Sequence, residues 1–316
     1  MSPELARLGH VALETPNIDE SAAFFRDAVG LEEVTRSDGT IYLRAVDEFD
    51  HHSMSLTEAD SEGVDHIGWQ TKTETGLSEF ASQLEDQGID ITWIDAGEEA
   101  GQGKAIRFST PTGNEFEFYH EMEKPDPPEE RRSKLKNRTY SPTKTNPIAP
   151  SRIDHVQIWD PDANKFVEWL KETLGFRVHE YYDRRDGSRW GTWMSASETK
   201  IEAAIIDDEE QEKSPALHHV AYKVETANDL FDAKDAMNEE GYTTDGIGQH
   251  SISRGKFLYA RDSATNHRIE FNSGSYLVFD PNWEPIAWQE GYLEDEDPPG
   301  SRQWVGQIES KERVFY

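Results

Sequence analysis

The chain has 316 residues, a net charge of −31 from 63 Asp and Glu against 32 Lys and Arg, and no Cys. Its length is typical of two domains. Such a negative charge repels phosphate backbones and anionic lipid, so we expect neither nucleic acid nor a membrane surface as a partner. The lack of Cys in the sequence excludes disulfides, thiolate nucleophiles and zinc–thiolate sites.

The sequence also indicates the environment in which the protein works. It opens without the apolar region of a secretion signal, and no apolar run approaches the ~18 residues of a transmembrane helix, so we expect a cytoplasmic protein. Acidic residues are spread along the whole chain, with dense runs at 207–210 and 294–297. This pattern indicates the acidic surface of a halophilic protein, adapted to a salt-rich cytosol.

A short strand-like phrase containing a histidine occurs four times, at 8–13, 64–69, 153–158 and 217–222. Each copy is followed by a helix-like segment that ends at a glycine; these segments lie at 17–30, 77–88, 162–175 and 230–241. Short strands follow each helix. The chain is therefore predicted to contain four repeated βαβββ units.

Two units on each side of a proline-rich segment predict two domains. We expect an α+β fold with curved mixed sheets, in which residues 1–120 form the first domain and 151–273 the second. Residues 121–150 contain six Pro and a basic run, and are predicted to be a linker. A tail follows at 274–316.

Two histidines of the repeated phrase are followed by a glutamate at the same separation. His219 precedes Glu270, and His66 precedes Glu117, by 51 residues in each case. If paired units form one curved sheet, these side chains face one concavity. Two imidazoles and a carboxylate on one face of a divalent metal form the facial triad of non-haem Fe(II) oxygenases. In the C-terminal half this triad is His155, His219 and Glu270, so the second domain is expected to carry the metal site and the tail at 274–316 to pack over it.

Several further phrases are shared with a known family. They are the segment 40–44 with His51 and His52, and the segments 152–155, 174–178, 193–194, 217–221 and 266–270. From about residue 8 to 306 the chain resembles the vicinal oxygen chelate superfamily, with glyoxalase-like domains. Within it, the chain is most similar to the two-domain extradiol ring-cleaving dioxygenases of the homoprotocatechuate 2,3-dioxygenase and catechol 2,3-dioxygenase type.

This resemblance implies a cofactor and substrates. Residues matching His155, His219 and Glu270 hold Fe(II), or Mn(II) in some members. A catechol, with 3,4-dihydroxyphenylacetate as one candidate, chelates the metal, and O2 takes an adjacent position, so that the reactants meet in one coordination sphere. Family members are often homotetramers, and the resemblance therefore implies a homo-oligomer.

The resemblance also implies roles for residues around the metal. His250 matches a histidine that hydrogen-bonds bound oxygen or substrate, and Tyr259 matches a tyrosine beside a substrate hydroxyl; both are candidate catalytic residues. Trp193 matches a tryptophan of the pocket wall. Arg302 matches a tail arginine that pairs with a substrate carboxylate. Trp193 and Arg302 are thus the candidate substrate-binding residues.

The chain departs from the family at one position in particular. Where the family has a general acid/base histidine, this sequence has Ile201, which cannot transfer a proton. Glu202 and His250 are the candidate replacements. The departure keeps two other readings open: lyase or isomerase chemistry on another chelating ligand, and a metal- or aromatic-binding module without catalysis.

The N-terminal half contains a complete second triad, which consists of His10, His66 and Glu117. His51 aligns with the position of Ile201. The position of Tyr259 falls on Arg107 or Ile106, and no counterpart of His250 is evident. Because the family normally leaves this half without catalysis, we expect the active site in the C-terminal half.

The acidic composition makes a prediction that is independent of the chemistry. The Debye length falls from ~10 Å at 0.1 M salt to ~3 Å at 1 M, so concentrated salt screens the self-repulsion of 31 net negative charges. Transfer from molar KCl to dilute buffer should lower the melting temperature measured by circular dichroism. Equal melting temperatures in both solutions would remove the halophilic interpretation.

Overall fold

The computed structural model describes residues 3–127, 129, 132–133, 148–208, 215–289 and 302–305. These residues form two large mixed β-sheets and four α-helices. Most of the predicted linker at 121–150 lies outside the described residues, so its structure stays a prediction, as do the domain boundaries around it.

Eight strands of the N-terminal half form the first sheet: β1 (Leu5–Thr15), β2 (Glu32–Ser37), β3 (Thr40–Arg44), β4 (Met54–Glu58), β5 (Gly63–Thr71), β6 (Thr92–Ile94), β7 (Ala105–Ser109) and β8 (Glu115–Tyr119). Their order across the sheet is β2-β3-β4-β1-β5-β8-β7-β6. The pairs β1–β4 and β5–β8 are parallel, and the central pair β1–β5 is antiparallel. The two strands that carry the repeated phrase therefore lie side by side.

Ten strands form the second sheet: β9 (Arg152–Asp160), β10 (Arg177–Asp183), β11 (Arg189–Ser195), β12 (Ala203–Asp207), β13 (Ala216–Lys223), β14 (Thr244–His250), β15 (Gly255–Arg261), β16 (Arg268–Gly274), β17 (Ile286–Gln289) and β18 (Arg302–Val305). Their order is β17-β10-β11-β12-β9-β13-β16-β15-β14-β18. The eight inner strands repeat the order of the first sheet, with β9 and β13 in the places of β1 and β5.

One helix follows the first strand of each unit: α1 (Ile18–Ala23), α2 (Glu74–Asp86), α3 (Ala163–Leu174) and α4 (Ala227–Glu239). The side chains of Asn17, Thr73 and Asp162 accept a backbone N–H at the N-termini of α1, α2 and α3, and Thr226 forms a capping box at α4. Gly175 ends α3 at φ 74°, a left-handed conformation that favours glycine. The four predicted βαβββ units and the α+β fold are confirmed.

The two halves share a hydrophobic core. The buried ring of Trp69 meets Phe176 at a centroid distance of 5.0 Å, and Phe116 meets Phe166 at 6.0 Å. Each pair joins one residue from each half, and their apolar surface is removed from water only when the halves pack together. Among the described residues, no helix is long and apolar enough to cross a membrane.

Two buried carboxylates connect the halves reciprocally. Glu48 Oε1 accepts the backbone N–H of Ile153 at 2.7 Å, and Glu202 Oε1 accepts that of Leu8 at 3.0 Å. Ile153 and Leu8 each lie two residues before a histidine of the repeated phrase. Since a buried carboxylate is costly unless it is hydrogen-bonded, these contacts fix each first strand against the opposite half.

The described parts of the tail extend both edges of the second sheet. Strand β17 pairs with β10, and β18 pairs with β14. The buried carboxylate of Glu180 accepts hydrogen bonds from Trp288 Nε1 at 2.6 Å and Tyr276 Oη at 2.5 Å, and Lys200 Nζ lies 3.1 Å away. The tail therefore packs back onto the second sheet, while its predicted position over the site stays a prediction.

Candidate metal centre

The register of three central strands brings the predicted C-terminal triad together. In the antiparallel pair β9–β13, His155 lies opposite Ala221, and in the parallel pair β13–β16, Ala221 lies opposite Glu270. His219 lies opposite Gln157, two residues further along β9. Residues opposite each other, or two positions apart on one strand, share a face of the sheet. The two histidines and the glutamate therefore point to the same side.

The donor atoms of these three side chains converge. His155 Nε2 and His219 Nε2 are 3.2 Å apart, and Glu270 Oε2 lies 3.6 Å from the first and 2.9 Å from the second. The three residues are buried, at 5%, 1% and 1% exposure. Neighbouring ligands of an octahedral metal bound at ~2.1 Å lie about 3 Å apart. The geometry and the donor types thus fit a divalent metal held on one face.

Adjacent polar groups orient the ligands. The carboxylate of Asp154 accepts a hydrogen bond from His155 Nδ1 at 3.0 Å, which directs Nε2 into the cluster. Asn272 Nδ2 donates to Glu270 Oε1 at 2.8 Å, so the other carboxylate oxygen faces the histidines. Partners of this kind set the tautomer and the direction of metal ligands. The triad is therefore preorganised before a metal binds.

Burial and charge give the three ligands different protonation behaviour. Burial is the main cause that lowers the pKa of His219, to about 4. Burial also disfavours the charged form of His155, but hydrogen bonds to Asp154 and Glu270 outweigh it and raise that pKa to about 9. Burial alone would raise the pKa of Glu270, whereas the imidazoles hold it well below its usual range. At neutral pH the metal-free triad therefore holds a proton on His155.

The structure brings both predicted catalytic residues to the edge of the triad. Tyr259 lies opposite Glu270 in the β15–β16 pair, and its ring centroid is 5.3 Å from that of His219. The Tyr259 hydroxyl lies 3.2 Å from His250 Nε2. A phenol and an imidazole thus form a connected pair beside the metal ligands, while their catalytic roles stay predictions.

Trp193 lies in a buried aromatic cluster on the same face of the sheet. Trp193 is opposite Ala204, Ala204 is opposite Gln157, and Gln157 is opposite His219, so one row crosses four strands. The side chains of directly opposite residues point to the same face of a sheet, so Trp193 and His219 share a face. The aromatic cluster consists of Trp159, Tyr182, Trp193, Ile201, Ala204, Ile206 and Ile252, with Trp190 and Trp288 packed against it.

The structure separates the two candidate replacements for the missing acid/base histidine. Ile201 is 7% exposed and belongs to the aromatic cluster. Glu202 Oε2 accepts the backbone N–H groups of Ala196 and Ser197, both at 2.9 Å, and its Oε1 is engaged with the N-terminal half. With both oxygens occupied by backbone donors, Glu202 is not available as a base. The candidate that remains of the two is His250.

Arg302 falls at the limit of the described structure. The β14–β18 pair places it opposite His250. Its side chain is outside the described part of the molecule, so its predicted contact with a substrate carboxylate stays a prediction.

The first sheet repeats the register of the second. His10 lies opposite Gly68, Gly68 lies opposite Glu117, and His66 lies opposite Ala12, two residues beyond His10. The N-terminal triad is therefore brought together on β1, β5 and β8, the strands equivalent to those that carry the C-terminal triad. Arg107 lies opposite Glu117, and thus occupies the position that Tyr259 has in the second sheet.

The position assigned to His51 was wrong by one residue. The pairing of β1 with β4 and of β9 with β12 places Met54 where the second sheet has Ala203. Two residues earlier, His52 rather than His51 has the place of Ile201. Because two histidines are adjacent in the sequence, only the strand register distinguishes them.

Sequence reasoning missed two kinds of residue. Glu99, from the loop between β6 and β7, lies with the N-terminal triad, and no spacing rule identifies such a residue in a loop of variable length. The aspartates that orient histidines were also missed. Asp154 precedes His155, and Asp65 precedes His66 with a 2.8 Å contact to its Nδ1. The Asp-His dipeptide inside the repeated phrase was the available signal.

Metal binding at the C-terminal triad should release protons. The pKa of His155 lies at about 9 and that of His219 at about 4 without metal, so at pH 7 a metal must displace about one proton, from His155. Acidification should weaken binding, and proton release should decline above pH 9. Calorimetric titration with Mn(II) in two buffers of different ionisation enthalpy measures this number. Glu270→Gln should remove this component, and equal heats in both buffers for the wild type would contradict the prediction.

Two known families match the chain. The catechol 2,3-dioxygenase-like N-terminal domain matches residues 64–123, and the glyoxalase/bleomycin resistance protein/dioxygenase superfamily matches residues 152–271. The second match contains all three residues of the C-terminal triad.

Full-length relatives agree with these families. The manganese-dependent 2,3-dihydroxybiphenyl 1,2-dioxygenase of Geobacillus genomosp. 3 is 44% identical over 297 residues, covering 93% of each chain. The metapyrocatechase of Geobacillus stearothermophilus is 33% identical over 306 residues, covering 96% of this chain and 90% of that protein.

Among solved structures, the complex of homoprotocatechuate 2,3-dioxygenase from Brevibacterium fuscum with 3,4-dihydroxyphenylacetate superposes with a TM-score of 0.82 at 25% identity. It covers 97% of this chain and 91% of that one. These relatives confirm the predicted dioxygenase class over the lyase and binding-module readings. The chain belongs to the two-domain extradiol ring-cleavage dioxygenases, metal-dependent oxidoreductases of the glyoxalase/bleomycin resistance protein/dioxygenase superfamily.

Proposed function

We propose that this enzyme uses O2 to open the ring of a catechol beside its hydroxyl groups, and that its preferred substrate carries an apolar aryl substituent. The single observation that carries the proposal is the buried His155–His219–Glu270 triad on the same sheet face as the aromatic cluster. The 44% identity to an enzyme named for 2,3-dihydroxybiphenyl supports the choice of an aryl-substituted catechol.

The triad would hold Fe(II) or Mn(II). When bound, such a metal supplies Lewis acidity and open coordination positions for the substrate. His155 and His219 act as neutral donors, and Glu270 compensates one positive charge of the ion. The manganese dependence named for the Geobacillus relative favours Mn(II) as the first metal to test.

The substrate preference follows from the surroundings of the triad. Four tryptophans of the aromatic cluster, or packed against it, can contact an aromatic ring: Trp159, Trp190, Trp193 and Trp288. Offset or edge-to-face contacts between aromatic rings contribute ~0.5–1.5 kcal/mol beyond the area they bury. These contacts favour an aryl-substituted catechol.

Proton transfer would depend on the pair formed by His250 and Tyr259. Their 3.2 Å contact connects a proton acceptor to a phenol that lies beside His219. Ile201, where the family resemblance implies an acid/base histidine, can neither accept nor donate a proton. His250 therefore takes the role of general base in this proposal, and Tyr259 orients the substrate hydroxyl.

A carboxylated catechol is the second candidate substrate. The register that places Arg302 opposite His250 favours it, because an arginine there could pair with a carboxylate. Under this alternative, 3,4-dihydroxyphenylacetate is the better substrate, and Arg302→Gln raises its KM while leaving that of a neutral catechol unchanged.

Oxygen uptake tests the proposal. After reconstitution with Mn(II) or Fe(II) in molar KCl, 2,3-dihydroxybiphenyl should give coupled loss of O2 and formation of a yellow product, with a higher kcat/KM than 3,4-dihydroxyphenylacetate. His219→Ala should reduce uptake to background, because it removes a metal ligand. Glu198→Gln, an exposed change in the same half, serves as the control.

Two results would contradict this proposal in different ways. Metal bound without oxygen uptake on any of these catechols would overturn ring cleavage. A higher kcat/KM for the carboxylated substrate, lost in Arg302→Gln, would keep ring cleavage but replace the aryl preference with the second candidate.

Restoring a histidine at position 201 should increase the rate. Ile201 belongs to the aromatic cluster, which lies on the same sheet face as the triad, and general acid/base catalysis contributes typically ~10²–10⁴-fold. We expect Ile201→His to raise kcat by about tenfold or more, with a new pH dependence near the pKa of the added imidazole. Ile201→Gln is the matched control, since it is polar and similar in size but cannot titrate. Equal rates in both variants would show that the proton is handled elsewhere.

The proposal includes the assembly and location that the resemblance and the sequence imply. We infer a homotetramer in the cytoplasm, and light scattering coupled to size-exclusion chromatography measures the assembly directly.

A further inference from the structure

The proposed activity does not use the polar cluster buried in the first sheet. His10 on β1, His66 on β5 and Glu117 on β8 meet Glu99 from the β6–β7 loop. His10, His66 and Glu117 are at most 1% exposed, and Glu99 is 9% exposed. Among the described residues, this cluster and the C-terminal triad are the two groups whose donor atoms lie close enough to hold a metal. The N-terminal cluster therefore needs its own explanation.

The spacing of the donor atoms fits a cation. His10 Nε2 lies 2.9 Å from His66 Nε2 and 3.6 Å from Glu117 Oε1. Glu99 Oε2 lies 3.7 Å from His10 Nε2, and Glu99 Oε1 lies 3.3 Å from His66 Nε2. Four ligands placed tetrahedrally at ~2.1 Å from a metal are about 3.4 Å apart. The observed distances lie around this value.

The side chains are oriented as metal ligands are. Asp65 Oδ2 lies 2.8 Å from His66 Nδ1, which leaves His66 Nε2 facing the cluster, as Asp154 does for His155. A Cβ atom at Gly68 would lie 2.2 Å from the His10 ring. The ring can occupy its position only because residue 68 has no side chain. The two imidazoles are thus held with their Nε2 atoms toward each other.

Three buried polar atoms in or beside the cluster have no hydrogen-bond partner at ordinary distance among the described residues. They are His10 Nδ1, Glu99 Oε2 and His52 Nε2, and the last two lie 3.7 Å from each other. The side chain of His52 is fully buried and directed at Glu99. Because an unsatisfied buried polar atom costs free energy, Glu99 Oε2, which lies 3.7 Å from both His10 Nε2 and His52 Nε2, is an atom of the cluster that a bound cation would satisfy.

The charge of the cluster matches that of the C-terminal triad. Arg107 Nε donates to Glu117 Oε2 at 2.7 Å, Gln102 Nε2 donates to Glu117 Oε1 at 2.6 Å, and another guanidinium nitrogen contacts Glu99. A cation bound to Glu117 Oε1 would use the lone pair that the Gln102 amide does not occupy. Two carboxylates and one guanidinium give a net charge of −1 when the imidazoles are neutral. This equals the charge that Glu270 alone gives to the C-terminal triad, so Arg107 does not make the cluster less favourable for a divalent cation than that triad.

We propose that this cluster is a second metal site, which binds a divalent first-row transition ion through His10, His66, Glu117 and Glu99. Four protein ligands close the coordination shell, as in structural sites, whereas catalytic sites keep a position open. Arg107 occupies the position that Tyr259 has in the second sheet, and Glu99 comes from the loop that corresponds to the one following His250. The site therefore ties the β6–β7 loop to the central strands rather than binding substrate.

Metal stoichiometry tests this proposal without using activity. The full chain is stripped with chelator, reloaded with excess Mn(II) or, separately, Zn(II), desalted, and analysed by inductively coupled plasma mass spectrometry. We expect two ions per wild-type chain, one in Glu117→Gln, one in Glu270→Gln and none in the double variant. The melting temperature of Glu270→Gln should still rise with added metal, because the N-terminal site remains, while that of the double variant should not.

One ion per wild-type chain, kept in Glu117→Gln and lost in Glu270→Gln, would overturn the second site and leave the C-terminal site intact. If Glu117→Gln does not fold, Glu99→Gln provides the second variant, because it keeps the triad and alters only the loop ligand. It should lose one of two ions to a competing chelator at least tenfold faster than the wild type. Equal loss rates for both proteins would also overturn the proposal.

Discussion

The antiparallel pairing of two histidine-bearing strands is the constraint on which both sites depend. In this register His155 and His219 lie on one face, two positions apart, and a parallel third strand adds Glu270 in the same row. A shift of one residue would turn a histidine to the opposite face. The hydrophobic residues that alternate with these three side chains along the strands are buried in the shared core. The packing of the core therefore also holds the three side chains in place.

Duplication of this arrangement gives two sites with the same skeleton and different surroundings. Opposite the glutamate, the second sheet has Tyr259 and the first has Arg107. The β6–β7 loop adds the carboxylate Glu99, whereas the strand before the corresponding loop ends at His250. The C-terminal triad thus lies beside an aromatic cluster and a phenol, whereas the N-terminal cluster contains a fourth residue, which is a carboxylate, and a guanidinium beside it. In the roles proposed above, these few side chains around a common backbone separate a substrate site from a structural one.

Repetition made much of the fold and of the triad predictable. The repeated phrase and its helix with N-cap and terminal glycine report local geometry, which sequence carries directly. The 51-residue separation from His219 to Glu270 was recognisable because it recurs from His66 to Glu117. Predictions that needed strand register fared less well. His51 was assigned the place that His52 holds, and Glu202 was considered as a base although backbone N–H groups occupy both of its oxygens.

The sequence by itself determined the four βαβββ units, the histidines and glutamates that recur in them, and the absence of a proton-transferring side chain at Ile201. These are properties of residue type and spacing along one chain. Only the tertiary structure decided that Trp193 shares a face with His219, and that Glu99 joins the N-terminal triad. Those relations join residues from different strands or from a loop, and their distances depend on how the sheets pair and pack, which no local pattern encodes.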